Sequence, residues 1–438
     1  MKETIIRDPV HGYIDLSHYP FISELIENPY FQRLRRLSQL GVSVFVYPSA
    51  IHNRFSHSLG AMQLFVRIFD HLFKDIEQTE MSRYAHLRKI GVATIMLHDI
   101  GHGPFSHVSE TIFNFKHHVY SQDIISNELR DILSKYDIDT KEIASVINKS
   151  EEKNDDIKLL SQLIDSTIDV DRLDYLTRDI YFTGVGFCVI DFERIIRTMQ
   201  IYNGPSTKLN GLVVIQEKGK RSIETFLLTR DIMYSDIYHH KTTRGIEVLL
   251  KLLFKRIKDL TKDEKIILPP EFGFMNDKKG FTYKNLYMLD DYSIYSYLLK
   301  WSQSEDSDTI IRDLSNRIIN RNLFKSIEYS IKNSSSIFMK DNGIRNEISK
   351  KGFNNPQYYY SFDEPKDRPY SPILSPTNDE EERKSLDQNI HIKLHDSSCK
   401  EISLESKIIK TLIDDRENFV RLYVPTETLE DVTKILQN

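Results

Sequence analysis

The apolar stretch KIGVATIML (89–97) ends abruptly in HDIGHGPFSH (98–107). Its spacing predicts a helix over 82–98, which the Gly and Pro residues of GHGP stop. A charged Asp at the end of an apolar helix is rarely buried unless it is paired or bound to a metal ion. A fold of this chain must therefore bring partners to Asp99, or leave it capping a turn beside a satisfied core histidine. An isolated His-Asp pair favours the second arrangement, but this pair is not isolated. HNRFSHSLG (52–60) lies upstream, with Arg54 and His57 opening an amphipathic helix over 57–77. IDVDRLDYLTRD (168–179) lies downstream in an otherwise apolar helix. Two His and two Asp spread over three helices can converge in a bundle core. Such a mixed imidazole and oxygen set suits Mn²⁺, Fe²⁺, Zn²⁺ or Mg²⁺. Asp171, Tyr175 and Asp179 are spaced i, i+4, i+8 and share a helical face. Asp174 and Arg178 are expected on a solvated, salt-bridged face.

The remaining pattern is mostly helical. Pro29 splits residues 20–40 into two short helices, VSVFVY (42–47) reads as a short strand, and SHVSETIF opens a further helix. Helices are expected over 141–149, 157–182 and 191–200, with the acidic loop SEEKNDD between the first two. TKLNGLVVI reads as a hairpin turning at Asn-Gly. Residues 221–259 read as one long helix bent near Gly245. Beyond 260, helices are expected over 284–301, 307–319 and 323–333. Residues 353–388, with the acidic run 379–383, read as irregular and exposed. IHIKL and KEISL form a hairpin, followed by a helix (405–415), a strand (RLYVP, 421–425) and a last helix (426–437). The fold class is mainly α, with a helical core over 1–260 and a smaller α+β part over 261–438.

The chain of 438 residues is long enough for two or three folding units. Its longest apolar run is far shorter than the roughly 20 residues that span a bilayer. MKETIIRDPVHGY has no signal-like apolar segment, and two cysteines make neither a disulfide framework nor a Cys-based zinc site. These features point to a cytoplasmic protein with no membrane partner. A net charge of −5, from 59 basic and 64 acidic residues, argues against a nucleic-acid groove.

These motifs resemble those of the HD-domain phosphohydrolases, and within them the deoxynucleoside-triphosphate triphosphohydrolases: the animal SAM- and HD-domain enzyme and its bacterial relatives. The resemblance runs through RDPVHGYIDL (7–16), NPYFQRLRRLSQLG (28–41), HNRFSHSLG, LHDIGHGPFSH, IDVDRLDYLTRD and LLTRDIMYSDIYHHK (227–241). It covers residues 5–250 strongly and implies no SAM domain, because the motifs start at the N-terminus. It implies His57, His98, Asp99 and Asp171 as ligands of a divalent metal. It implies His102, partnered by Glu110, and His118 as catalytic residues, although His117 stands beside His118. Triphosphate contacts are implied for Arg54, His107, Arg172 and Arg230, and deoxyribose contacts for Gln39, Leu40, Asp169, Tyr175, Asp179 and Tyr238. Tyr234 and His239 replace a histidine and a glutamine of the animal enzyme. Glu27, Gln32 and Arg35 match positions that bind an activating GTP or dNTP between subunits, which implies a homo-oligomer, a tetramer in the animal enzyme.

The implied activity is hydrolysis of a dNTP to deoxynucleoside and tripolyphosphate. A metal ion lowers the pKa of water from 15.7 towards ~7, and guanidinium groups match phosphate oxygens. A protonated His102 held by Glu110 would donate to the departing 5′ oxygen, help worth ~10²–10⁴ in rate. Arg230, Tyr234 and Tyr238 (i, i+4, i+8) would put phosphate and sugar contacts on one helical face; without the resemblance these tyrosines read as core aromatics. Two alternatives remain. One is a metal-dependent phosphodiesterase or nuclease of the same superfamily. The other is a binding protein with an idle site.

Overall fold

The computed structural model describes residues 4–148, 154–186, 188–204, 209–277, 280–330, 339–365, 370–374, 381, 386, 388–414 and 419–437. Three helices carry the motifs. Arg54–Leu72 packs against both Met81–Leu97 and Val170–Thr183. Each begins or ends where the local chemistry dictates. Asn53 caps the first by accepting a hydrogen bond from Ser56 N, and Asp169 caps the third through Arg172 N. Gly184, in the left-handed conformation at φ 75°, ends the third. The first two helices approach closely because Gly91 has no side chain: a Cβ there would lie 1.9 Å from Phe65 Cζ. One hydrophobic cluster, with Phe65, Ile95, Leu97 and Leu173 fully buried, fills the space among them.

A second cluster lies along the Lys241–Lys262 helix, against Asp291–Gln303, Thr309–Ile319 and a three-stranded antiparallel sheet. In that sheet Phe419–Val424 lies between Lys325–Ser330 and Ser361–Asp363. A four-stranded sheet runs in the order Met199–Ile201, Val213–Gln216, His391–Lys393, Cys399–Glu401. Through it, C-terminal residues such as Ile390, Ile392 and Ile402 enter the first cluster. An N-terminal hairpin pairs Ile5–Asp8 with Gly12–Asp15. The protein is thus mainly helical with small sheets, and among the described residues no helix is long and apolar enough to cross a membrane.

Several elements differ from the sequence pattern. VSVFVY is not a strand: Gly41–Phe45 is a 3₁₀ turn, entered through Gly41 at φ 52° against the Phe105 carbonyl. The helix expected over 157–182 is two, Asp155–Ile164 and Val170–Thr183, because the Asp169 carboxylate binds Ser166 N and Arg172 N and starts a new helix. The long helix over 221–259 breaks at a π-turn, Tyr234–Tyr238, and at His239–His240, not at Gly245. Gly245 instead admits the Tyr423 ring, 3.1 Å from where a Cβ would stand. The helix expected over 323–333 is the strand Lys325–Ser330, since pairing with the buried Phe419–Val424 supplies hydrogen bonds that local propensity does not foresee; residues 331–333 lie outside the described residues. The expected Asn-Gly hairpin exists, but its first strand is Met199–Ile201, with Asn210-Gly211 in the connection. Within 353–388, Tyr358, Tyr359, Tyr360 and Tyr370 are buried rather than exposed; of the acidic run only Glu381 lies among the described residues.

Candidate metal and phosphate site

The three motif helices bring His57, His98, Asp99 and Asp171 together. His57 Nε2 lies 2.9 Å from Asp171 Oδ1 and 3.7 Å from Asp99 Oδ2. His98 Nε2 lies 3.3 Å from Asp99 Oδ1 and 3.4 Å from Asp171 Oδ1. Each imidazole is held by its other nitrogen. His57 Nδ1 donates to Asp174 Oδ2 at 2.8 Å, and His98 Nδ1 donates to the Ile95 carbonyl at 2.7 Å. In the neutral rings this leaves a lone pair on each Nε2, and both atoms are buried without a hydrogen-bond partner. Two orphaned imidazole nitrogens facing two carboxylates fit a divalent metal ion, with each tautomer set by the outer hydrogen bond. Burial opposes charge on His57, but Asp171 and Asp174 outweigh it and raise its pKa to about 10 in the absence of a cation.

Asp174 and Arg178 overturn the expectation of a solvated face: both are fully buried. Besides His57, Asp174 accepts from His11 Nε2 at 2.6 Å and from Arg178 Nε and Nη2 at 3.0 and 2.9 Å; Arg178 also donates to Asp8 at 2.7 Å. The N-terminal hairpin is thereby wired to a metal-facing histidine. An i, i+4 Asp-Arg pair reads as surface, and only the crossing of two helices reveals its third partner.

The loop after Asp99 is clamped from three sides. Arg33, fully buried, donates from Nη2 to the carbonyls of Ile100 and His102 and from Nη1 to Leu289. Asp291 accepts from Phe105 N and Ser38 N. Ser121 Oγ accepts from Gly101 N and donates to the His98 carbonyl. These bonds hold Phe105 and Ser106 at φ 52° and 57°, a conformation costly for non-Gly residues. Ser106 Oγ in turn accepts from Arg54 Nη2 at 2.8 Å, while Arg54 Nη1 pairs with Asp99. Burial, reinforced by Arg54 and His117, holds the His102 pKa well below its ordinary value.

The cluster around His102 also differs from the expected one in its members. Glu110 does not bond His102; its Oε1 accepts from His107 Nδ1 at 2.7 Å and His117 Nδ1 at 2.9 Å. His117, not His118, stacks on His102, with centroids 3.8 Å apart and planes inclined by 15°. His118 is exposed, outside the cavity wall. Asn114 at φ 55° turns the chain so that the first histidine of the doublet, one residue off the aligned position, faces inward.

A cavity of about 480 Å³ opens on this cluster. Gln39, Leu40, Arg54, His107, Asp171, Tyr175, Asp179, Tyr234 and Tyr238 line it, together with residues that the sequence had not singled out, among them Thr243, Arg244, Glu247 and Lys251. Tyr238 donates to Asp179 Oδ2 at 2.7 Å, and His52 Nε2 donates to Oδ1 at the same distance. Asp169, Arg172 and Arg230 are not in the wall. Asp169 is consumed as a helix cap and pairs with Arg172. Arg230 is buried with Nε unpartnered, its guanidinium 5.5 Å from the Tyr234 ring. Gln32 and Arg35 form a separate surface pair: Gln32 donates to the Ile26 carbonyl and accepts from Arg35 Nε, and Arg35 lies 3.5 Å over the Phe55 ring, with Glu27 exposed on the helix before them.

The HD domain matches residues 54–179, and the HD associated region matches residues 190–350. The uncharacterized protein YwfO of Bacillus subtilis is 33% identical over 437 residues, covering 99% of this chain and 94% of that one. The deoxynucleoside triphosphate triphosphohydrolase SAMHD1 of Gallus gallus is 28% identical over 357 residues, covering 73% of this chain and 55% of that protein. A crystal structure of a phosphohydrolase from Bacteroides thetaiotaomicron superposes with a TM-score of 0.79 at 28% identity, covering 97% of this chain and all of that one. Fold and site together define a metal-dependent phosphohydrolase. The chain belongs to the HD-domain phosphohydrolase family.

Proposed function

We propose that the protein hydrolyses deoxynucleoside triphosphates to deoxynucleoside and tripolyphosphate. The observation that carries this reading is a single cavity with two walls. One holds Arg54, Asp99, His102 and His107; the other holds Tyr175, Asp179 and Tyr238. The first suits a polyphosphate, the second a sugar. A divalent ion held by His57, His98, Asp99 and Asp171 would supply Lewis acidity and activate water. Arg54 would turn from Asp99 towards phosphate oxygens, which match guanidinium in charge and geometry. Protonated beside the anionic phosphates, His102 would give its proton to the departing 5′ oxygen. A sugar packed against Tyr238 leaves little room for a 2′-hydroxyl, favouring deoxyribose. Gln32, Arg35 and Glu27 would take an activating GTP or dNTP at a contact between subunits of a homo-oligomer.

The test incubates the protein with each dNTP and Mn²⁺, with and without GTP and other dNTPs, and identifies products by ³¹P NMR. Tripolyphosphate is the expected product. Its absence under every condition, with cleavage of end-labelled oligonucleotides instead, would replace this reading by a phosphodiesterase.

A further inference from the structure

His102, His107, Glu110 and His117 form a second cluster with the composition of a metal site. One donor atom from each lies within 4.8 Å of the other three. Glu110 Oε1 is the shared centre, 2.7 Å from His107 Nδ1 and 2.9 Å from His117 Nδ1. The His107 ring lies nearly perpendicular to that of His102, at 5.2 Å. His102 is 2% exposed, and its Nδ1 has no hydrogen-bond partner, although Nε2 lies 3.2 Å from Asp99 Oδ1. This buried, unpartnered imidazole nitrogen is available to a ligand in the cluster.

We propose that these four residues form a second metal site, for Zn²⁺, beside the His57–His98–Asp99–Asp171 site. Three imidazole nitrogens and one carboxylate match the N/O preference and tetrahedral count of Zn²⁺, whereas Mg²⁺ favours oxygen ligands. The spacing is local: His107 and Glu110 are i, i+3 on one short helix, and His117 opens the next. His107 and His117 would ligate through Nδ1 with the ring proton on Nε2. The zinc ion would take the place of the two hydrogen bonds now made to Glu110. One consequence rests on the proposed function. Filling this site withdraws His102, Glu110 and His117 from proton transfer, so excess Zn²⁺ inhibits the enzyme.

Equilibrium dialysis of the full chain against Zn²⁺, followed by elemental analysis, reads the site without any nucleotide. Two ions per chain are expected. His107→Ala should hold one, and because the His107 side chain is 74% exposed its removal disturbs little packing. Glu110→Gln should also hold one, and Asp171→Ala should lose the first ion while keeping the second. Co²⁺ bound to Asp171→Ala should show the intense visible bands of a tetrahedral site, and Zn²⁺ should remove them. A single ion per chain at saturation, or two retained by His107→Ala, overturns the site. Two ions in the expected pattern without dNTP hydrolysis would overturn the proposed function and leave the zinc site standing.

Discussion

Asp174 holds His57 by its Nδ1, 2.8 Å from Oδ2, and so leaves Nε2 to face Asp99 and Asp171. The same carboxylate is tied to His11 and Arg178. Asp174 thus acts on the metal site through an imidazole. Asp174→Asn should weaken metal binding about 10–100-fold, the usual effect of losing such an outer partner. A chelator competition with Mn²⁺ measures it; unchanged affinity would remove Asp174 from this role.

Gly60 and Gly91 separate metal binding from stability. A Cβ on Gly60 would stand 2.0 Å from Asp174 Oδ1 and 2.2 Å from Arg178 Nη2; the nearest neighbours of one on Gly91 would be atoms of the Phe65 ring. Both alanine variants should lose about 1–3 kcal/mol, as overpacked cores do. Only Gly60→Ala should also lose metal affinity. Thermal melts with and without Mn²⁺ distinguish them: the Mn²⁺-induced rise in Tm should shrink in Gly60→Ala alone.

Arg33 positions the loop that carries His102. Arg33→Met leaves three carbonyls, those of Ile100, His102 and Leu289, without a donor, at about 1–3 kcal/mol each. Misplacing His102 by even ~1 Å should cost on the order of 10² in turnover. Metal content should hold at the wild-type value, which elemental analysis checks.

The histidine doublet gives a sharp contrast. His117 stacks on His102 and bonds Glu110, whereas His118 is exposed. His117→Ala should lower kcat by ~10²–10⁴, the range for a proton-transfer group. His118→Ala should retain activity within about twofold. Equal losses in the two variants would contradict the geometry.

His391 makes stability depend on pH. Burial in the four-stranded sheet lowers its pKa from 6.5 to about 4. Between these values the unfolded chain binds the proton and the folded one does not. The contribution is complete above pH 6.5 and is lost as pH falls to about 4, on the order of 3 kcal/mol. His391→Gln should flatten this part of the profile in urea unfolding at pH 7.5 and 5.0, with wild type and variant differing most at the lower pH.

Local pattern was enough for the helices that carry the motifs. Apolar spacing located Met81–Leu97, and GHGP located its end, because both signals lie within a few turns of chain. The crowding of His and Asp at apolar helix ends likewise pointed to two His and two Asp converging, since burying those groups unpartnered would be costly; it was the family resemblance that named His57, His98, Asp99 and Asp171. What depends on contacts between distant segments was not legible. Lys325–Ser330 is a strand only because Phe419–Val424 lies beside it. Asp174 and Arg178 look like a surface pair until the Arg54–Leu72 helix and the N-terminal hairpin close over them. His117 displaces His118 because the turn at Asn114 sets which ring points inward. Sequence alone determined which residue types must meet, through the cost of burying charge. The tertiary structure decided which atoms meet, because a hydrogen bond depends on angstrom-scale placement that periodicity does not encode.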